Sequence, residues 1–445
     1  MSESGDFQER SRAFVNWLRD NGASISAKIT LDDLRQQNAG RGIVAVEDLD
    51  EDEELFSVPR STMLTTETSR NGEAVLQEVD DPWLSLIVVM ALEYLDGSQS
   101  RWKPYFDVLP VSFDNLMFWS DRELRHLEGS TVVGKIGKEA ADATFREQLI
   151  PVIERISKAK AADNEELLRM CHRMGSTIMA YGFDLETSSD QAKNDGEEWE
   201  EDSDAGETLP KGMVPLADML NADADRNNAK LFYEDDKVVM KTIKPVKAGE
   251  ELYNDFGSLP RADLLRRYGY LTDNYAQYDV VEIPADLIKE RAGLRTQDVD
   301  ERWQYAEEQG VLDDGYDVSR ASSEEGQFPE ELCVLLNLLA LPRAEFEKVK
   351  NKDKIPKPDL TTNAKKLLRT ILVYRYAAYP GNVDQMHSDV SLNDRRRKMA
   401  IVVIQGEKQV LQEAVDAISE IPSGKKRSAD TLEDEAAAIR QPAKK

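Results

Sequence analysis

The sequence predicts an α+β chain in which small β elements flank a long helical insertion and a separate helical domain follows. Three observations carry that prediction. Residues 24–65 alternate short apolar stretches with turn residues, as small strands do. From about 67 to 180 the apolar spacing becomes helical. Strand signals then return in KLFYEDD, KVVMKTIKPV and GEELYN, before the pattern turns helical again beyond about 285. This is not the strict β-α-β alternation of a parallel sheet.

Taken in order, residues 1–24 read as an opening helix, with Phe14, Trp17 and Leu18 at helical spacing and Gly22 as its stop. Residues 25–285 form the β-containing domain around the insertion at about 67–180. Within the insertion, WLSLIVVMALEYL (83–95) is too short to span a bilayer and reads as a buried helix. The polar, acidic and aperiodic segment 186–208 is expected to be a disordered loop. EDDK reads as a hairpin connection and KPVKAGEE as a surface turn. Residues 286–420 make the helical domain, with EELCVLLNLLAL and AKKLLRTILVYRYAAY its clearest segments, and 421–445 is expected to be a disordered basic tail.

Composition narrows the function. A chain of 445 residues exceeds one ordinary core, so two domains are expected. Two distant cysteines, Cys171 and Cys333, imply no disulfide framework. Three scattered histidines without a C-x-x-C imply no metal site. The polar N-terminus lacks a signal core, which points to a soluble intracellular protein without a membrane partner. Acidic residues outnumber basic ones 85 to 57, for a net charge of −28. That argues against direct nucleic-acid binding and for either plain solubility or attraction to basic partners such as histone-like or ribosomal proteins.

Three short motifs bear on chemistry. GRGIVA (40–45) could be read as a dinucleotide fingerprint, but no buried strand precedes it and no amphipathic helix follows. Its two glycines around Arg41 read better as a turn that exposes backbone and lets a ligand approach. PLADMLNADADRNN (215–228) crowds Asp218, Asn221, Asp223 and Asp225 together, without the spacing of a calcium loop. It reads as a solvated acidic turn or as a chain leaving a core with Asn221 placed to fix a ligand's polar edge. YNDFG (253–257) sets aromatic and amide side chains around one turn, either a core-facing turn or a ligand pocket.

Taken together these pieces resemble the SET-domain protein-lysine methyltransferases, in the branch with a long helical insertion and a Rubisco-methyltransferase-type substrate-binding domain. FVNWLRDNG, GRGIVA, RWKPYFDVLP with FDNLMFWSDREL, PLADMLNAD, and ELYNDFG with LLRRYGYL stand in that branch's order along nearly the whole chain. The later motifs are most similar to fungal members that methylate a large-subunit ribosomal protein. The resemblance implies a pseudoknotted SET-type β fold, S-adenosyl-L-methionine as cofactor, and a basic protein substrate, a 60S ribosomal protein, met by a monomer. It implies that Gly40, Arg41 and Gly42 hold the cofactor's methionine part, and that Asn221 and the Ala222 backbone bind its amino and adenine groups. Tyr268 or Tyr270 would pack on the adenine. Tyr105, Tyr181 and Phe183 are placed only by neighbourhood.

Methyl transfer to lysine needs a neutral amine, and neutralising lysine at pH 7 costs about 4.6 kcal/mol. A nearby sulfonium and partial desolvation supply this, so no dedicated base is required. Two departures from the family pattern matter. Ala222 replaces a usual His, and Phe256 replaces a Tyr whose hydroxyl orients the amine, a loss of about 1–3 kcal/mol. Tyr253 or Tyr181 would then supply the hydroxyl. The alternative to an enzyme is a catalytically silent SET-like module that escorts basic nuclear or ribosomal proteins. The KKR cluster at 425–427 and the basic end of the tail resemble a nuclear import signal, so the nucleus is the expected location.

Overall fold

A computed structural model describes residues 3–37, 40–157, 163–185, 209–381, 394–419 and 430–440. The acidic loop expected at 186–208 and the KKR cluster lie outside the described residues. The chain divides into two compact units, Met1–Met117 with Gly137–Ser258, and Phe118–Ile136 with Leu259–Lys445.

In the first unit the opening helix runs Glu3–Asp20 and buries Phe14 and Leu18 completely. The strands are β1 (Ser24–Ile25), β2 (Ile29–Asp33), β3 (Arg41–Ala45), β4 (Glu54–Pro59), β5 (Gly182–Asp184), β6 (Lys211–Met213), β7 (Asn221–Ala222), β8 (Ala229–Tyr233), β9 (Lys237–Thr242) and β10 (Glu251–Asn254). They build a sheet ordered β1-β4-β9-β8, another ordered β2-β3-β10-β7, and a β5-β6 pair. In the second of these, β10 runs antiparallel to β3 and parallel to β7. A late strand is thereby inserted between two earlier ones, the threading that the resemblance implied. GRGIVA is a strand rather than a turn from Arg41 onward, because Leu34 N donates to Gly40 O at 2.9 Å and closes the turn just before it. Likewise KPVKAGEE ends inside β10, since Leu252 beside Glu251 is wholly buried and carries the strand inward.

The 83–95 run forms the helix Pro82–Leu95, with Pro82 at its first turn and the Asp81 carboxylate accepting from Leu84 N at 2.7 Å. Its residues Leu86–Leu92 are buried and pack against the helix Asn164–Tyr181. Each such aliphatic side chain contributes about 1.5–3 kcal/mol on burial.

The second unit is mainly helical, with its core built from Leu335, Leu336, Ile371, Leu372, Ile404 and Leu411. It departs from the expected boundaries in four ways. It begins at Leu259 rather than near 286, because Arg261 and Asp279 form a buried pair at 2.5 Å that belongs to its core. It is not purely helical, for β11 (Val280–Pro284) pairs antiparallel with β12 (Gly315–Ser319). It takes Phe118–Ile136 out of the insertion. There Arg375 donates to Gly129 O at 2.6 Å, Ser130 Oγ donates to Glu407 at 2.7 Å, and Arg396 donates to Phe118 O at 3.1 Å. Gly129 has φ +93, and a Cβ there would meet Ala378 O at 2.7 Å, so no other residue fits. Finally, Asp430–Arg440 is a helix rather than disordered tail. It buries Leu432 and Ala436, and Arg369 grips Glu435 with two hydrogen bonds of 2.9 and 2.7 Å.

Candidate active site

The sheet β2-β3-β10-β7 gathers the motif residues. Glu251 and Leu252 face Val44 and Ile43 of β3, while Tyr253 and Asn254 stand in register with Asn221 and Ala222 of β7. Arg41, Gly42, Asn221, Ala222 and Tyr253, which lie far apart in sequence, therefore meet on three neighbouring strands, with Gly40 in the turn just before β3.

The strands are pinned locally. Asn228, buried just before β8, donates from Nδ2 to Glu251 O at 2.9 Å and accepts from Tyr253 N at 2.8 Å, as a neighbouring strand would. Asp223 is not a solvated acid: it is buried, and its carboxylate accepts from the Asp225 and Arg226 backbone at 3.0 and 2.9 Å and from the Arg226 side chain. Those hydrogen bonds hold its pKa below the usual carboxylate range although burial alone pushes it up. The Arg226 guanidinium lies 4.9 Å from the Tyr253 ring.

Arg41 aims its side chain at the opening helix. Its guanidinium donates to Ser11 Oγ at 3.0 Å and to Val108 O at 2.8 Å, and burial pulls its pKa down to about 10. Its backbone carbonyl faces Asn221, whose Nδ2 reaches it at 3.4 Å and donates to Glu251 Oε1 at 2.6 Å. Glu251 Oε2 accepts the Tyr253 hydroxyl at 2.8 Å, so that hydroxyl is already engaged. Burial, followed by this hydrogen bond, pushes Tyr253 up to about 12.

A second cluster sits around Asp218. The Tyr105 hydroxyl donates to its carboxylate, and Leu216 N donates to Asp218 Oδ1 at 3.1 Å. Leu216 holds φ +84, a left-handed conformation that costs a branched residue on the order of 1–3 kcal/mol and is maintained by complete packing. Burial pushes Asp218 up to about 7 against the pull of its hydrogen bonds. Tyr181 is pushed up to about 12 by burial and by the Asp218 charge. Tyr105 and Tyr181 thus share one acidic neighbour, whereas Phe183 pairs with Gly212 in the β5-β6 ribbon. Phe256 is half-buried just beyond β10, and Tyr268 and Tyr270 belong to the second unit with ring centroids 6.2 Å apart. Among site residues, Glu251 and Asn228 escaped the sequence reading. An acid inside a strand bounded by buried Leu252 was the available signal.

An antiparallel-parallel β knot carrying these motifs defines the SET architecture, and the comparisons agree. The SET domain model matches residues 40–257, and the Rubisco LSMT substrate-binding model matches 294–411. Ribosomal lysine N-methyltransferase 4 of Saccharomyces cerevisiae is 35% identical over 300 residues, which are 64% of this chain and 60% of that protein. N-lysine methyltransferase SETD6 of Mus musculus is 30% identical over 360 residues, 76% of this chain and 72% of that one. The solved structure of Rubisco LSMT bound to sinefungin and monomethyllysine has a TM-score of 0.67 at 21% identity, covering 92% of this chain and 91% of its own, a likeness of fold. The chain belongs to the SET-domain protein-lysine methyltransferases, a family whose cofactor is S-adenosylmethionine.

The acceptors here suit that cofactor. Arg41 O and the amide oxygen of Asn221, whose NH₂ end is taken up by Arg41 O and Glu251, are acceptors of the kind an α-ammonium group requires.

Proposed function

We propose that this chain transfers a methyl group from S-adenosylmethionine to a lysine of a basic large-subunit ribosomal protein. The register of Tyr253 against Asn221 carries the reading, because it assembles the cofactor motifs from distant segments. The similarity to the yeast ribosomal enzyme and the net charge of −28 support the choice of substrate. The chain spans 60% of that yeast relative, so substrate and location rest on this proposal. Nuclear residence follows from the KKR cluster at 425–427.

The cofactor, when bound, supplies an electrophilic methyl on a sulfonium. Asn221 and Arg41 O hold its amino group, and Gly40, with open space beside it, leaves room for its backbone-like part, while Gly42 admits the Asn221–Glu251 pair. Tyr181 provides the hydroxyl that Phe256 lacks, since the Tyr253 hydroxyl is engaged by Glu251. Asp218, pushed up to about 7, offers an acceptor near Tyr181 for an incoming amine. With these groups in place the enzyme's remaining task is alignment.

The test is to incubate the chain with labelled S-adenosylmethionine and 60S proteins from cells lacking it, then map the label by mass spectrometry. Methyl incorporation into one ribosomal lysine is expected. Cofactor binding without transfer to any 60S protein would overturn the choice of substrate.

A further inference from the structure

Glu251 opens the ELYNDFG motif but has no role assigned above, yet it contacts two residues that have one. Its Oε1 accepts from Asn221 Nδ2 at 2.6 Å, and its Oε2 accepts the Tyr253 hydroxyl at 2.8 Å. A carboxylate side chain offers acceptors, so only the NH₂ end of the Asn221 amide can face it. The other neighbour of that NH₂, Arg41 O at 3.4 Å, is also an acceptor. An amide's two ends are chemically distinct but nearly equal in shape, and their orientation is set by the partners around them. Here both partners demand the same end.

Gly42 makes this arrangement possible. A Cβ at residue 42 would come within 2.7 Å of Glu251 Oε1 and 3.2 Å of Asn221 Nδ2, so any side chain there would displace the pair. Three segments, each from a different motif, thus converge on one amide.

We propose that Glu251 is a positioning residue for the cofactor: by holding the NH₂ end of Asn221, it keeps the amide oxygen as the end presented to the cofactor's α-ammonium. The proposal rests on the cofactor assignment above and deepens it. Glu251 acts through Asn221 and touches no ligand itself. It also ties Tyr253 to the same point, which keeps β10 and β7 in one register at the site. Without the carboxylate, Asn221 is free to turn its NH₂ outward, where it repels an ammonium instead of accepting from it.

The test is a double-mutant cycle read by calorimetry with S-adenosylhomocysteine at concentrations up to the millimolar range. Glu251→Gln keeps the volume but adds a donor, so the Asn221 amide can turn. It is expected to raise Kd about tenfold, the scale of one charge-assisted hydrogen bond, with an unchanged melting temperature. Asn221→Ala is expected to weaken binding by a similar factor, and adding Glu251→Gln to it should cost nothing further. Unchanged binding by Glu251→Gln, or the same loss in both backgrounds, would show that Glu251 does not act through Asn221. A wild-type chain that fails to bind S-adenosylhomocysteine would instead remove the cofactor assignment.

Discussion

The Arg41 guanidinium lies 3.7 Å from the centroid of the Phe7 ring, and Arg35 lies 4.2 Å from the same ring. One aromatic side chain of the opening helix is thus flanked by two cations from either end of the turn that leads into Gly42. The contact ties a helix with no part in the chemistry to the strand that carries the first motif. Replacing Phe7 with Ala should cost about 1–2 kcal/mol of stability, measured by denaturant unfolding. It should also weaken S-adenosylhomocysteine binding more than an exposed substitution such as Arg12→Ala does.

Asp218 makes stability pH-dependent. Its folded-state value of about 7 exceeds the usual 3.8, so the folded chain holds the proton more tightly than the unfolded one. The resulting contribution is complete below about pH 4 and is lost as pH rises through about 7. Asp218→Asn should remove this slope and exceed the wild type at pH 8 by on the order of 2 kcal/mol. Urea midpoints at pH 5 and pH 8 measure it, and a slope equal to wild type would contradict the assignment.

Tyr181 should be needed for rate more than for fold. Tyr181→Phe is expected to lower kcat by roughly ten- to a hundredfold, the value of one hydrogen bond, with little change in cofactor affinity. Phe256→Tyr should raise kcat if its restored hydroxyl reaches the amine. Single-turnover methylation of a ribosomal substrate distinguishes both from binding effects.

The Arg261–Asp279 pair in the second unit is buried, and Gly406 lies directly against it. Arg261→Ala strands the Asp279 charge and should cost about 3–5 kcal/mol. Gly406→Ala places a methyl group 2.5 Å from Arg261 Nη2 and should destabilise the same unit in a thermal melt.

Much of the architecture was legible because it rests on local period. The opening helix shows in Phe14, Trp17 and Leu18, and the β8-β9 hairpin in alternation on both sides of EDDK. The motif order disclosed the family, and with it Gly42 and Asn221. What stayed hidden depends on partners distant in sequence. Nothing near Gly129 announces that Arg375 will bind its carbonyl, so Phe118–Ile136 read as part of the insertion. Glu251 read as the start of a strand with no role attached, because its acceptors become useful only when β7 arrives beside it. The tail helix left a fainter trace. Leu432, Ala436 and Ile439 fall at helical spacing, but charge on every side outweighed them.

Phe118–Ile136 is synthesised in the midst of the first unit but folds into the second. The polypeptide passes between the units at 117, at 136 and at 258, so neither unit is one continuous piece. During synthesis, Leu127 and Val132 emerge long before the Arg375, Arg396 and Glu407 segments that complete their surroundings. Such delayed closure slows folding and leaves apolar surface waiting for a helper. A gene cut after Ser258 to isolate the catalytic half would therefore produce a protein with an orphaned segment prone to aggregate.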